Sequence, residues 1–222
     1  MNFAKSGSEA ITIHWRIDDW FKDIPEETRA KFKKYHEELL RLNKGINLIS
    51  AKAIPVADAM YFADTIIATR FIQKDLKHKE VYDLGSGNGF PGIIMAIMMP
   101  NVKFHLVDFD AKKAEFLKHV IKELQLKNVD VLIRNVDVLP PASIQCAISR
   151  DFNTLTRSLL ATRKVFAVGG IYYHMKGEEW ATEIADIPSQ LCSFWSPGLL
   201  GEYKLPVGEV RFAVVKTEKI QA

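Results

Sequence analysis

Apolar positions along the chain change their period near residue 79. Before it, Phe32, Tyr35, Leu39 and Leu42 recur at helical spacing, which predicts a helix over 23–43, "DIPEETRAKFKKYHEELLRLN". Asp23 is placed to cap it, with Glu26 three residues on. A second helix is predicted over Val56–Gln73, rich in Ala, Ile and Phe. Residues up to Ile24 are mixed, and Trp15, Trp20 and Phe21 are expected to pack on something.

From Lys79 short apolar strands alternate with helical patterns. "EVYDL" (80–84), "VKFHLVD" (102–108), "VDVLIR" (129–134), "QCAIS" (145–149) and "IYYHMKG" (171–177) are predicted strands. Between them lie the wholly apolar "GIIMAIMM" (92–99) and an amphipathic stretch with Ala114, Leu117, Val120, Ile121 and Leu124 on one face. A third helix, "LTRSLLATRKVFAVGG" (155–170), is predicted to stop at Gly169 and Gly170. The end, "YKLPVGEVRFAVVKTEK", has the composition of a closing antiparallel pair. Strand–helix alternation of this kind implies a doubly wound α/β sheet, Rossmann-like, with ligand at the carboxyl ends of its strands. The expected organisation is a helical segment over 1–78 packed on an α/β domain over 79–222.

Composition adds little to that picture and removes some classes. The 222 residues are 48% hydrophobic and 26% charged, ordinary for a globular protein, and the net charge of +3 permits a polyanionic partner without demanding one. Cys146 and Cys192 lie far apart in apolar surroundings, so both are expected buried and reduced. The longest apolar run is too short for a membrane span and no leader pattern opens the chain, so a cytoplasmic protein is expected.

The candidate chemistry sits in "VYDLGSGNGFPG", Val81–Gly92. No lysine stands where a P-loop needs one, and Phe90 occupies the third glycine place of the dinucleotide fingerprint. Gly85, Gly87 and Gly89, with Ser86 between them, let the backbone turn sharply and approach a ligand. Asp83 just before them would repel a pyrophosphate but suits a ligand with a cationic amino-acid moiety, such as S-adenosylmethionine. Asp108 ends the next strand, about 20 residues on, where an acid accepts ribose hydroxyls. Asp137 follows the third strand, placed for an adenine edge. Singly, each acid is as well explained as a turn cap, a helix cap or a solvated loop residue; together they point to a class I S-adenosylmethionine-dependent methyltransferase. Strand four ends in "AISRDFNTL", without the Asn/Asp-Pro-Pro-aromatic pattern of exocyclic-amine methylation, and neither cysteine is a good nucleophile. Arg150 is placed there to touch the cofactor or a base edge.

Six segments in order, "INLIS" (46–50), "DLGSGNGFPGI" (83–93), "LVDFDAKKAEFL" (106–117), "ISRDF" (148–152), "MKG" (175–177) and "GEVRFAVVK" (208–216), resemble the small-subunit ribosomal RNA guanine-N7 methyltransferases, the glucose-inhibited division protein B family. The resemblance runs from about Leu39 to nearly the end. It implies an enzyme that methylates N7 of a guanosine in small-subunit (16S) ribosomal RNA. Carried over by position, cofactor contacts fall on Gly85, Phe90, Val136–Asp137 and Arg150, with Asp108 as the ribose acid. Three departures concern RNA contact. "MYFADT" keeps Asp64 but lacks the family's histidine, "GEVRF" leaves Arg211 where an arginine-histidine pattern is usual, and "SRDF" carries an acid where a small residue is common.

Guanine N7 has a free lone pair, so positioning rather than a general base is required. Arg150, Lys176 and Arg211 are the candidates for holding phosphate or the guanine edge. The substrate is expected to be ribosomal RNA or a partly assembled small ribosomal subunit, bound by a monomer without membrane involvement. Lys31, Lys34, Arg41 and Lys44 form a basic stripe that is as well explained by a solvated helix face, and Lys112 and Lys113 lie beside the cofactor mouth. The competing readings are a small-molecule methyltransferase on the same fold, a dinucleotide-dependent oxidoreductase and a noncatalytic RNA-binding module.

Overall fold

Seven strands form one sheet in the order β3-β2-β1-β4-β5-β7-β6. The structure, a computed structural model, describes residues 12–222; residues 1–11 of the expected helical segment lie outside the described residues. β1 (Glu80–Leu84), β2 (Lys103–Asp108), β3 (Val129–Ile133), β4 (Ile144–Arg150) and β5 (Phe166–Lys176) pair in parallel, and β7 (Arg211–Lys219) runs antiparallel to both β5 and β6 (Trp195–Lys204). The order reverses between β1 and β4, so the crevice at their carboxyl ends is the topological switch point where ligands of such sheets bind.

Side-chain alternation divides the strands between two cores. Val81, Phe104, Leu106 and Ile148 face a layer built from α2 (Glu26–Ile46), α3 (Asp64–Asp75), α4 (Gly92–Met98) and α5 (Ala111–Glu123). Leu84, Val107, Ala147, Tyr172 and Val215 face the other side, against α6 (Leu155–Thr162), α7 (Trp180–Ala185) and α8 (Ser189–Cys192). α4 is buried almost all round, as its unbroken apolar composition requires.

The N-terminal helices share the first core with the sheet. Ile17 in α1 (Ile17–Trp20) and Phe32, Tyr35 and Leu39 on α2 are buried, and Trp15 and Trp20 pack against them. Phe62 stands at the centre, with ring centroids 5.3 Å from Trp15, 5.3 Å from Tyr35 and 4.9 Å from Phe90. Phe90 in turn stacks on Tyr35 at 4.9 Å. The residue directly after the glycine loop is thus an anchor in the helical layer.

Four details differ from the sequence expectations. α2 begins after Pro25, and Asp23 pairs with Arg70 at 2.6 Å instead of capping it. The second predicted helix is composite: a 3₁₀ turn at Ile54–Val56, a π-helical stretch at Asp58–Ala63, then α3. α6 ends at Thr162, and β5 begins at Phe166, because Val165 and Phe166 bury in the second core; Gly169 and Gly170 lie inside the strand at a register irregularity with β4. Cys146 is buried, with its thiol pushed up to about 12 by burial, but Cys192 is exposed at the end of α8. Among the described residues no helix is long and apolar enough to cross a membrane.

Replacing Phe62 with alanine removes the ring on which Trp15, Tyr35 and Phe90 converge. Urea denaturation is expected to show a loss of about 3–5 kcal/mol, the usual cost of Phe→Ala in a core. A loss below about 1 kcal/mol would contradict the central position assigned to this ring.

Candidate active site

The loop from Gly85 to Gly89 is a tight cradle at the end of β1. The amides of Gly85 and Ser86 both donate to the Val107 carbonyl, at 2.9 and 3.1 Å, and Gly89 N donates to Ser86 O at 2.7 Å. Gly85 has φ +73, and a Cβ there would stand 2.5 Å from the Phe152 ring. Gly89 has φ +92, and its missing Cβ would meet the Tyr35 hydroxyl at 2.5 Å. Both positions therefore need glycine for backbone conformation and for space. The Tyr35 hydroxyl donates to Asn88 O at 2.5 Å, and Asn88 Nδ2 donates to Leu48 O at 3.3 Å, so the helical layer grips the loop from behind.

In front of the loop lies a cleft of about 590 Å³, within the range of small-molecule sites. Gly85, Gly87, Asp108, Val136 and Asp137 line it, five of the residues singled out from sequence. Asp108 Oδ2 accepts from Gly87 N at 2.7 Å and Oδ1 accepts from Asp110 N at 2.8 Å. These bonds fix the carboxylate's plane and leave lone pairs for a second acceptor role, since an ionised carboxylate offers about four such sites. Asp110 caps α5 by accepting from Lys112 N and Lys113 N.

Lys113, expected beside the cofactor mouth, also lines it, whereas Asp83, Ser86, Gly89, Phe90, Arg150, Lys176 and Arg211 are not among the lining residues. Asp83 is fully buried on the opposite face of β1, where Oδ2 accepts from Gly92 N at 2.9 Å. Strand alternation turns it toward α4, and a Cβ on Gly92 would stand 2.6 Å from that oxygen. Its Oδ1 has no hydrogen-bond partner among the described residues. Burial, with a smaller push from Asp108, raises this carboxyl to about 7, against the lowering influence of Gly92 and Ser86. The picture of Asp83 as a carboxylate exposed to a cationic ligand is thereby corrected: it holds the start of α4. Ser86 is also buried, with Oγ donating to Asp83 O at 2.8 Å, and the Phe90 ring lies in the aromatic core.

Arg150, at the end of β4, is held by the helical layer. Its Nε donates to Asp64 Oδ2 at 2.8 Å, its NH2 to Met60 O at 2.8 Å, and its guanidinium lies 4.5 Å over the Tyr61 ring. Tyr203 donates to the other Asp64 oxygen at 2.6 Å. Burial alone would lower Arg150, but the charges of Asp64 and Asp151 outweigh it and keep the group cationic. The neighbouring Asp151 stands 3.6 Å from the guanidinium, and Asp64 is the main partner.

Lys176 donates to Asn153 O at 2.6 Å and pairs with Glu183 at 2.9 Å, while Glu183 also accepts from Leu155 N at 2.7 Å. Lys176 thus ties the β4–α6 connection to α7. Arg211 is exposed at the start of β7, with no ion-pair partner among the described residues. The pairing of Lys176 with Ala213 puts it at the ligand end of the sheet.

Sequence reasoning did not pick out Phe109, Arg134, Phe152 and Asn153, all of which line the cleft. Phe109 is 73% exposed directly after Asp108, and a large aromatic immediately beyond a strand-ending acid is the signal that would have found it. The basic stripe on α2 is largely neutralised: Lys31 pairs with Glu27, Lys34 with Glu123 and Arg41 with Glu38.

Asp83 and the buried histidines make opposite contributions to stability against pH. Asp83, raised from 3.8 to about 7, stabilises the fold fully below its ordinary value, and that stability is lost as pH rises toward 7. His36, lowered by burial to about 4, and His174, lowered well below 6.5 by burial first and then Lys176, stabilise above their ordinary value and lose that contribution as pH falls. Asp83→Asn removes only the first term. Between pH 7 and pH 5 the wild type should gain about 2 kcal/mol relative to this variant, visible as diverging thermal midpoints. Parallel midpoints would show that Asp83 is ionised throughout.

Residues 28–194 match the family described as GidB, rRNA small subunit methyltransferase G. The ribosomal RNA small subunit methyltransferase G 3 of Bdellovibrio bacteriovorus is 51% identical over 212 residues, covering 95% of this chain and 96% of that protein. The ribosomal RNA small subunit methyltransferase G of Paracoccus denitrificans is 32% identical, covering 75% and 84%. Among solved structures, the TYW2 protein of P. horikoshii in complex with MeSAdo superposes with a TM-score of 0.55 at 14% identity, covering 76% of this chain and 67% of that one. The YcgJ protein of Bacillus subtilis gives 0.54 at 11% identity, covering 73% and 100%. These structures share the fold, and the chain belongs to the rRNA small subunit methyltransferase G family.

Proposed function

We propose that this chain transfers a methyl group from S-adenosylmethionine to N7 of a guanosine in small-subunit (16S) ribosomal RNA. The observation that carries the reading is Asp108. It is a strand-end carboxylate locked by two backbone amides beside the glycine cradle, at the switch point of a sheet whose sequence belongs to an rRNA methyltransferase family.

The residues present fit the donor. Gly85 and Gly87 leave backbone without side chains along one wall, Asp108 offers lone pairs to ribose hydroxyls, and Phe109 and Val136 supply apolar surface for an adenine. Asp137 lies at the same end for the adenine edge. When bound, S-adenosylmethionine supplies a methyl group made electrophilic by its sulfonium. Everything else asked of the protein is positioning, because guanine N7 needs no base to expose its lone pair. Arg150 marks the acceptor side, and Asp64 balances its charge at 2.8 Å, so the cation that N7 methylation leaves on guanine meets no uncompensated positive charge there. Lys176 positions the β4–α6 connection through Asn153, and Arg211 is the exposed cation at that end of the sheet for a phosphate. A guanine held in a stacked helix could not reach such a cleft, so the target must be unpaired or flipped out.

In this reading the described part of the segment before residue 79 is a helical layer on a methyltransferase domain over 79–222. The enzyme acts as a cytoplasmic monomer on ribosomal RNA or a partly assembled small subunit. The shared aromatic core of Trp15, Tyr35, Phe62 and Phe90 supports treating the segment as part of the catalytic unit.

Asp108→Ala should weaken S-adenosylmethionine binding by roughly 10–100-fold in calorimetry, the usual value of hydrogen bonds to a charged group, with circular dichroism unchanged. Unaltered affinity would remove Asp108 from the site. The function itself is tested with a labelled methyl donor and small ribosomal subunits lacking N7-methylguanosine, followed by nucleoside digestion. Label in 7-methylguanosine is expected. Cofactor binding without label in RNA would overturn the assignment in favour of a small-molecule acceptor.

A further inference from the structure

Beside α6 lies a second cleft, of about 830 Å³, larger than the one in front of the glycine loop. The two meet: Asp137 and Ala161 line both. The opening exists because the β3–β4 connection supplies only a single 3₁₀ turn, Val136–Val138, and a Pro140–Pro141 turn where a helix could have covered the sheet and α6. Apolar surface is left uncovered as a result, with Val138 63%, Leu160 58% and Val168 57% exposed.

The cleft is also cationic. Arg163, Lys164 and Lys219 line it, and Asp137, at the end shared with the cofactor cleft, is the one acidic side chain among the lining residues. Arg163 and Lys164 are exposed and have no carboxylate partner among the described residues. The Arg163 guanidinium lies over the Phe194 ring, 3.5 Å from its centroid. Lys219 is nearly fully buried, its ammonium donating to the Arg163 carbonyl and lying 5.3 Å from the Trp195 centroid. A buried ammonium without a carboxylate is unusual, since lysines are rarely buried unless paired. Arg163 and Lys164 form a positive rim beside apolar surface from Leu160, Phe166 and Val168, with the Lys219 ammonium buried against the Arg163 carbonyl.

Apolar surface beside cations matches a nucleotide, which presents a flat base and an anionic phosphate. We propose that this cleft binds a nucleotide of the substrate RNA outside the target guanosine, with its phosphate on Arg163 and Lys164 and its base over Leu160 and Val168. The inference rests on the RNA reading above and adds a second point of contact, continuous with the catalytic cleft. It also gives a chain of net charge +3, whose α2 stripe is mostly paired, two exposed cations without carboxylate partners beside the catalytic cleft.

The test is a salt titration of binding to transcribed small-subunit ribosomal RNA by wild type, Arg163→Ala/Lys164→Ala and Leu160→Glu. Lys31→Ala/Lys34→Ala on α2 serves as the control. The double variant should flatten the slope of log K against log salt by about 1.4, two single-strand phosphate contacts at about 0.7 each. Its KM for RNA should rise about fivefold or more, with kcat and the S-adenosylmethionine Kd unchanged. Leu160→Glu changes an exposed position, so a folding defect would not imitate the effect, and it should weaken RNA binding while the α2 control leaves the slope intact. An unchanged slope and KM in both cleft variants would overturn the inference, as would loss of binding to a ribosomal protein with RNA binding intact. Wild type that neither binds nor methylates RNA would instead overturn the proposed function, and this inference with it.

Discussion

Phe90 enters the core of the helical layer with its ring against Tyr35, Phe62 and Tyr61, and that insertion fixes where the glycine loop lies. A run of three glycines with positive φ has no side chains of its own to hold it. Its shape is imposed from both ends: by Val107 and Asp108 on the strand side, and by Phe90, Tyr35 and Asn88 on the helical side. The helices over 26–75 thereby become part of the site without lining the cofactor cleft. Asp64 and Met60 act in the same way on Arg150, so both the glycine loop and the end of β4 are held by the segment that precedes the sheet.

The electrostatics divide between front and back. Facing the cleft are Asp108, Asp137 and Asp151 with the cations Lys113 and Arg134, at the end of β2 or on the segments that follow β2, β3 and β4. Behind it sits Asp83, whose burial favours the neutral acid and whose one satisfied oxygen receives the first amide of α4. Two carboxyls that look alike in sequence, each near the end of its strand, differ in role because strand alternation and twist turn one into a helix-packed core and leave the other at the mouth.

Much of this is legible in the sequence, for identifiable reasons. The five parallel strands and the last strand can be read because buried strands are continuous apolar runs bounded by Gly, Pro and polar turns, whereas β6 begins at Trp195, ahead of the stretch read as the closing pair. Gly85, Gly87, Asp108, Val136 and Asp137 can be placed at the cleft because it opens at the switch point, beside the first residues after each strand. The features that escape depend on tertiary partners. The end of α6 is misplaced by periodicity because Val165 and Phe166 suit either a helix or a strand until the second core claims them. The π-helical stretch at Asp58–Ala63 has no local signature, and the pairing of Arg150 with Asp64 spans 86 residues. Lys176 can be located but not its bond to Glu183, which depends on how α7 folds back. Cys192 resembles a core residue because its neighbours are apolar, yet α8 is a single turn that leaves it outside.

The placement of the donor in front of the glycine loop is tested most directly by a crystal structure of the chain with S-adenosylhomocysteine. The account predicts the ribose hydroxyls on the Asp108 carboxylate, the adenine between Phe109 and Val136, and Asp83 still bonded to Gly92 N behind the loop. Nucleoside density elsewhere, or Asp108 retaining only its bonds to the Gly87 and Asp110 amides, would contradict it.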